Sequence, residues 1–199
     1  MPQPECSKTP EMRLYSDQNE RLYLNEYERA IFLREALKAP LHIRAFALTL
    51  LFSGCRLSEA RFLTQDMVQI DEGKLSIRSL KKRGRHHIRE VPVPEMLITT
   101  LNTQFQMQNQ RKLIWAMSDE PVSRIKAYRW IKSVFHKCKL QGPHACPRGL
   151  RHGFGVHAIC SGVQLHMVQR WMGHASIETT SIYTQASGPE ERLIAERMW

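Results

Sequence analysis

The final quarter of this 199-residue chain carries Arg148-Gly149-Leu150-Arg151-His152, then Gly173-His174, then Ser181-Ile182-Tyr183. Upstream, Gly54-Cys55-Arg56-Leu57-Ser58-Glu59 adds a further arginine, and Leu80-Lys81-Lys82-Arg83 adds lysines. Guanidiniums, a histidine, a lysine and a tyrosine hydroxyl at these separations could attack the phosphorus of a phosphodiester. A phenol can do this and stay attached, so that the bond is readily reversed. With a pKa near 10, only about one phenol in a thousand is ionised at neutral pH. Nearby positive charge must therefore favour both the phenolate and the charge that builds on the phosphoryl oxygens. Arg56 and Arg151 are the candidates for gripping the two non-bridging oxygens, because guanidinium offers a planar fork of donors and stays charged. Arg56 follows a helix end at Gly54, and Arg151 falls near the start of its own helix, where backbone dipoles favour an anion. Taken singly, either could equally be a surface arginine that follows a glycine.

In order and in spacing, these segments resemble the tyrosine recombinase (phage integrase) family: Arg, Lys, His/Lys-x-x-Arg, His/Trp, Tyr. Thr179-Thr180-Ser181-Ile182-Tyr183 is similar to the family's TTxxY segment and singles out Tyr183 among the five tyrosines. The resemblance implies that Tyr183 forms a 3′-phosphotyrosyl bond, and that His174 hydrogen-bonds the scissile phosphate. It further implies that Glu59 supports Arg56, and that Lys81 or Lys82 protonates the leaving 5′-oxygen, the sequence context favouring Lys81. The basic loop from Lys81 to His87, with Arg83 and Arg85, could instead only neutralise phosphates. Arg148 departs from the pattern, since most relatives hold His there and some Lys. Arginine cannot act as a base at neutral pH, its pKa exceeding about 12. Its expected role is electrostatic: lowering the phenol's pKa and contacting phosphate. His152 is expected to buttress Arg151, or merely to pack.

These groups need a scaffold. Residues 1–18 read as a flexible leader, polar and with three prolines. Residues 19–199 read as one catalytic domain, mostly α with a small three-stranded antiparallel β-sheet, as the family's catalytic domain is. A helix is expected from Asn25, with Glu28 closing a capping box, to about Lys38. A second runs from His42 to Ser53 and is capped by Gly54. Met67–Ile70 and Lys74–Ile77 form a hairpin, and Ile88–Val93 a third strand. Helical spacing returns over Pro94–Gln108, Ser123–Cys138, Leu150–Cys160, Val163–Trp171 and Glu178–Gln185, with a tail helix over Pro189–Met198. The resemblance spans about Leu24 to Tyr183. With so few residues ahead of it, the core-binding domain of full-length integrases, which closes over the other DNA face, is expected to be missing.

A net charge of +10 favours a polyanionic partner, though charge alone does not separate DNA from RNA or an acidic membrane. The resemblance specifies double-stranded DNA. Arg124, Lys126, Arg129 and Lys132, with Tyr128 and Trp130 interleaved, could lie along a DNA backbone or form a solvated helix face. By resemblance the tail could link protomers in a tetrameric synapse; docking on its own chain is the simpler alternative. Accessory DNA-binding proteins are possible partners. No apolar run approaches the roughly 20 residues that span a bilayer, and the N-terminus lacks a signal core, so a cytoplasmic protein associated with nucleoid or plasmid is expected. Five irregularly spaced cysteines argue for reduced thiols. Cys138, His144, Cys146 and His152 lack the spacing of structural zinc sites. No acidic cluster or Gly-rich Lys-Ser/Thr loop calls for a catalytic metal or nucleotide, so no cofactor is expected. The leading reading is a site-specific DNA recombinase. A type IB topoisomerase-like enzyme and a catalytically weak DNA-binding regulator stay open as alternatives.

Overall fold

The computed structural model describes residues 13–79, 87–107, 112–116, 120–186 and 188–198. Helix α1 (Glu26–Leu37) starts where the sequence says it must. The Asn25 side chain accepts from the Glu28 N–H at 2.8 Å, and the Glu28 carboxylate accepts from the Asn25 N–H at 3.1 Å. Both orphan donors are thereby satisfied. Helix α2 (Leu41–Ser53) runs through the centre of the molecule, with every residue from Ala45 to Leu51 buried. It stops at Gly54, whose φ of +59° is a left-handed conformation open to glycine. A Cβ there would also sit 2.3 Å from the Phe154 ring. The chain thus turns sharply into the short helix α3 (Leu57–Ala60), with Arg56 at its N-cap.

Three strands follow, β1 (Val68–Gln69), β2 (Lys74–Arg78) and β3 (Ile88–Pro92), antiparallel in the order β1-β2-β3. Leu75 opposes Val91 and Ile77 opposes Arg89, and all four are buried. Among the described residues the remaining α-helices are α4 (Glu95–Met107), α5 (Arg124–Lys137), α6 (Pro147–Cys160), α7 (Leu165–Met172), α8 (Glu178–Ser181) and α9 (Pro189–Ala195). The mostly helical domain with one small antiparallel sheet is the fold the sequence predicts.

Three details differ from expectation, each for a local reason. Helix α6 begins at Pro147 instead of Leu150, since proline lacks only a donor that a first turn leaves unused. Arg148 therefore stands in the first turn. The stretch expected as one helix over Glu178–Gln185 is split, α8 giving way to a 3₁₀ segment over Ile182–Gln185 that carries Tyr183. The leader also gains order before residue 18: Leu14 and Tyr23 are buried and Tyr15 bridges Arg21, so apolar burial anchors residues 13–18.

Two apolar clusters result. The larger joins α1, α2, α4, α5 and the inner sheet face around Phe46, Trp115 and Phe135. The smaller joins Leu14, Tyr23, Phe154, Val168, Met172 and Tyr183. Helix α9 rests on α6 of its own chain, where the Cys160 thiol meets the Glu190 carbonyl at 3.8 Å. Its Leu193 nevertheless stays 38% exposed. No helix among the described residues is long and apolar enough to cross a membrane.

Candidate active site

Arg151 organises the site. Its Nη1 donates to the Gly54 carbonyl at 2.6 Å and its Nη2 to the Met172 carbonyl at 2.8 Å. Both acceptors are at helix ends, where carbonyls lack intrahelical partners. One buried side chain of α6 thus fixes the ends of α2 and α7. Burial first, then the Arg56 charge, lowers its pKa to about 10, so it remains a cation at neutral pH. Two of its five N–H donors are used in these bonds, which leaves three for an anion.

Arg56 is held by Glu59. Its backbone N–H donates to Glu59 Oε2 at 2.8 Å and its Nη1 to Oε1 at 2.9 Å. The Glu59 carboxylate is buried and also receives Arg89, Nη2 to Oε2 at 2.6 Å. Burial alone would raise the Glu59 pKa; the bonds and charges of Arg89 and Arg56 outweigh it and hold the carboxyl below its usual range. Arg89 then donates from Nε to the Trp171 carbonyl at 2.7 Å. Sequence reasoning used Arg89 only as context for Lys81. A signal was present: strand alternation puts residue 89 on the same inward face as Val91, and a charge at an inward strand position requires a buried partner.

Tyr183 lies fully buried against α6. Its ring covers Gly155, where a Cβ would come within 2.6 Å of ring carbons, so the missing side chain provides the seat for the Tyr183 ring. A glycine in mid-helix, unfavourable for the helix itself, was the sequence signal for that contact. The hydroxyl stands 3.4 Å from His152 Nδ1. Burial pushes the phenol up to about 12, while the charges of Arg151, Arg56 and Arg148 pull it down. The cationic surroundings expected from the sequence do act on this oxygen, but burial outweighs them.

The expectation that His152 buttresses Arg151 gives way to a different contact. Its Nε2 accepts from Arg148 Nε at 3.1 Å, and its Nδ1 faces Tyr183. Arg148 and His152 are four residues apart on α6 and hence on one face. Burial, then the charges of Arg148 and Arg151, lower the His152 pKa to about 3. His174 is similarly buried and follows the α7 terminus at Gly173. Its ring stacks on Tyr183 at 6.1 Å, and its Nδ1 meets the Thr180 hydroxyl at 2.9 Å, a partner the sequence reading did not name. Its Nε2 is buried with no hydrogen-bond partner among the described residues. Burial, then Arg151, lowers its pKa to about 3 as well.

Arg56, Glu59, Arg148, Arg151, His152, His174 and Tyr183 are therefore gathered into one place from the heads of α3 and α6, the end of α7 and the 3₁₀ segment. Lys81, Lys82, Arg83 and Arg85 fall outside the described residues. Arg124, Arg129 and Lys132 are on the outward face of α5 together with the exposed Ile125 and Tyr128; Lys126 is half-buried. Lys132 also donates to the Ala145 carbonyl at 3.0 Å, which ties α5 to the turn ahead of α6.

Residues 17–189 match the phage integrase family. The chain belongs to that family. Among curated relatives of this integrase-family chain, the tyrosine recombinase XerA of Pyrococcus furiosus is 27% identical over 184 residues, covering 87% of this chain and 60% of the relative. The tyrosine recombinase XerC of Xylella fastidiosa is 32% identical over 166 residues, covering 81% of this chain and 55% of the relative. The chain thus spans little more than half the length of these two relatives. The crystal structure of XerA recombinase superposes with a TM-score of 0.77 at 23% identity, covering 88% of this chain and 64% of that one. XerH bound to its difH substrate before cleavage gives 0.73 at 19% identity, covering 92% and 59%. The catalytic domain of bacteriophage HP1 integrase gives 0.61 at 22% identity, covering 88% of this chain and 95% of that domain. At these identities the structural likenesses establish the fold.

Proposed function

We propose that this chain is the catalytic unit of a site-specific DNA recombinase. Tyr183 attacks the scissile phosphate, forms a 3′-phosphotyrosyl bond and releases a 5′-hydroxyl. A hydroxyl from another strand then reverses the step. The observation that supports this most is the surroundings of the Tyr183 oxygen, which has His152 at 3.4 Å and feels the charges of Arg151, Arg56 and Arg148. Arg56 and Arg151 grip the non-bridging oxygens with their remaining donors, and the unpartnered Nε2 of His174 donates to the same phosphate. Lys81 or Lys82 protonates the leaving oxygen. Guanidiniums carry the charge that a metal would otherwise carry, and the phosphotyrosyl bond conserves the energy for rejoining, so neither divalent metal nor ATP takes part.

A hydroxyl with no exposed surface cannot meet a phosphate, so DNA binding must shift the 3₁₀ segment just enough to uncover the oxygen while His152 stays within reach of it. That segment is a single tight turn, with poorer hydrogen-bond geometry than an α-helix. Double-stranded DNA is the partner, with the outward face of α5 lying along it. Assembly into a tetrameric synapse uses α9, whose Leu193 its own chain leaves part-exposed.

The experiment is covalent capture. A tagged library of nicked duplexes of random sequence is incubated with the chain in EDTA and washed under denaturing conditions. Retained DNA is expected with the wild type and none with Tyr183→Phe. A catalytically weak regulator, the reading favoured by the buried phenol and by Arg148, would bind duplex and retain nothing.

A further inference from the structure

We propose that His152 is a catalytic hydrogen-bond donor to the Tyr183 oxygen, locked in its Nδ1–H tautomer by Arg148. This deepens the recombinase reading and rests on Tyr183 being the nucleophile.

Counting donors and acceptors fixes the tautomer. The Arg148 guanidinium has five N–H donors and no acceptor. Its Nε–H points at His152 Nε2 from 3.1 Å, so Nε2 must present a lone pair. A neutral imidazole has one acceptor and one donor nitrogen. With the lone pair committed at Nε2, the proton resides on Nδ1, and Nδ1 is the nitrogen that faces the Tyr183 oxygen at 3.4 Å. The opposite assignment, a phenol donating to Nδ1, would put two N–H groups head to head at Arg148. A doubly protonated ring would do the same, and burial beside Arg148 and Arg151 opposes it. His152 is 1% exposed, so water does not compete for either nitrogen.

A donor aimed at the phenol oxygen stabilises the phenolate more than the phenol, because a charge-assisted bond is shorter and stronger than a neutral one. The ring keeps its proton throughout. The phenol's proton leaves to solvent, the phenolate forms the O–P bond, the P–O5′ bond breaks, and the leaving oxygen is protonated by the separate lysine acid. Arg148 thus acts on the nucleophile twice, through its field and as a positioning residue through His152. An arginine where relatives hold histidine then needs no base at position 148. The groups facing this pair are Arg148 and Arg151 on α6, Arg56 at the head of α3, and His174 beyond α7.

The lock is testable without DNA by ¹⁵N NMR of histidine-labelled full chain. Wild-type His152 is expected neutral, with its proton on Nδ1, between about pH 5 and 8. In Arg148→Met the Tyr183 hydroxyl is free to donate to Nδ1, and the proton moves to Nε2. A wild-type Nε2–H tautomer, or protonation with a midpoint near the ordinary histidine value, overturns the proposal. The donation is testable by adduct formation on a nicked duplex recovered by the covalent capture. His152→Phe is expected to slow cleavage on the order of 100-fold, the scale for loss of one such donor. DNA affinity stays unchanged and the rate's alkaline midpoint moves upward. His152→Asn, whose amide puts an N–H near the Nδ1 position, recovers most of the rate. Equal rates for wild type and His152→Phe overturn it. Should wild type form no adduct at all, the nucleophile reading fails, while the NMR arm still decides the tautomer.

Discussion

Gly155 and the Tyr183 ring share a space that one methyl group would fill. Because a Cβ at 155 would lie 2.6 Å from ring carbons, Gly155→Ala must displace the ring or bend α6. Overpacking of this kind costs about 1–3 kcal/mol, and if Tyr183 is the proposed nucleophile its displacement loses on the order of 100-fold in rate. Gly155→Ala is therefore expected to fold with a lowered Tm and to form little adduct, measured by thermal melts beside covalent capture. The two buried imidazoles make a separate prediction. His152 and His174 have folded pKa values lowered to about 3 from 6.5. A group depressed on folding contributes its stability in full above the unfolded value. As pH falls from about 6.5 towards 3, the unfolded chain takes up protons that the folded chain refuses. Each histidine then removes about 1.4 kcal/mol of stability per pH unit. Urea midpoints should fall steadily from pH 7 to pH 5, and His152→Phe should flatten that slope. A slope identical to wild type would contradict the burial assigned to His152.

At the scale of elements, the site is held by charged side chains that reach helix ends. Arg151 joins α6 to the termini of α2 and α7, and the Glu59–Arg89 pair joins α3 to β3 and, through Trp171, to α7. Removing one partner of a buried pair leaves an uncompensated charge and costs about 3–5 kcal/mol. Arg89→Met should lower the unfolding free energy from urea melts by that amount, and adding Glu59→Gln should restore part of it. Full additivity of the two losses would show that the pair is not coupled. Much of this level was legible in the sequence. The capping box at Asn25, the left-handed stop at Gly54 and the three strands are each encoded within a few neighbouring residues. The Arg148, Arg151 and Tyr183 segments were legible as chemistry because their residue types are unusual together. What the sequence left unread is long-range. Arg89 meets a carboxylate thirty residues away, and Tyr183 reaches His152 across thirty-one. Nothing local to either records that meeting. The split of the helix predicted over Glu178–Gln185 has the same origin, since seating the Tyr183 ring on Gly155 is a tertiary demand that a periodic pattern does not contain.

For the whole molecule, the +10 charge and the outward face of α5 lead to a prediction about salt. If Arg124 and Arg129 neutralise phosphates, the logarithm of the binding constant should fall linearly with the logarithm of salt concentration. Each substitution to alanine should then reduce the slope by roughly 1. An unchanged slope would return α5 to a solvated face. The proposed chemistry depends on a single oxygen atom. Tyr183 is contained in the tryptic peptide 171–192, where it is the sole tyrosine; Tyr15, Tyr23, Tyr27 and Tyr128 fall in other peptides. The most direct measurement is mass spectrometry of DNA-adducted chain after trypsin and nuclease digestion. If Tyr183 is the nucleophile, a nucleotide remnant is expected on Tyr183 and on no other residue. A remnant on another side chain, or its persistence in Tyr183→Phe, would contradict it.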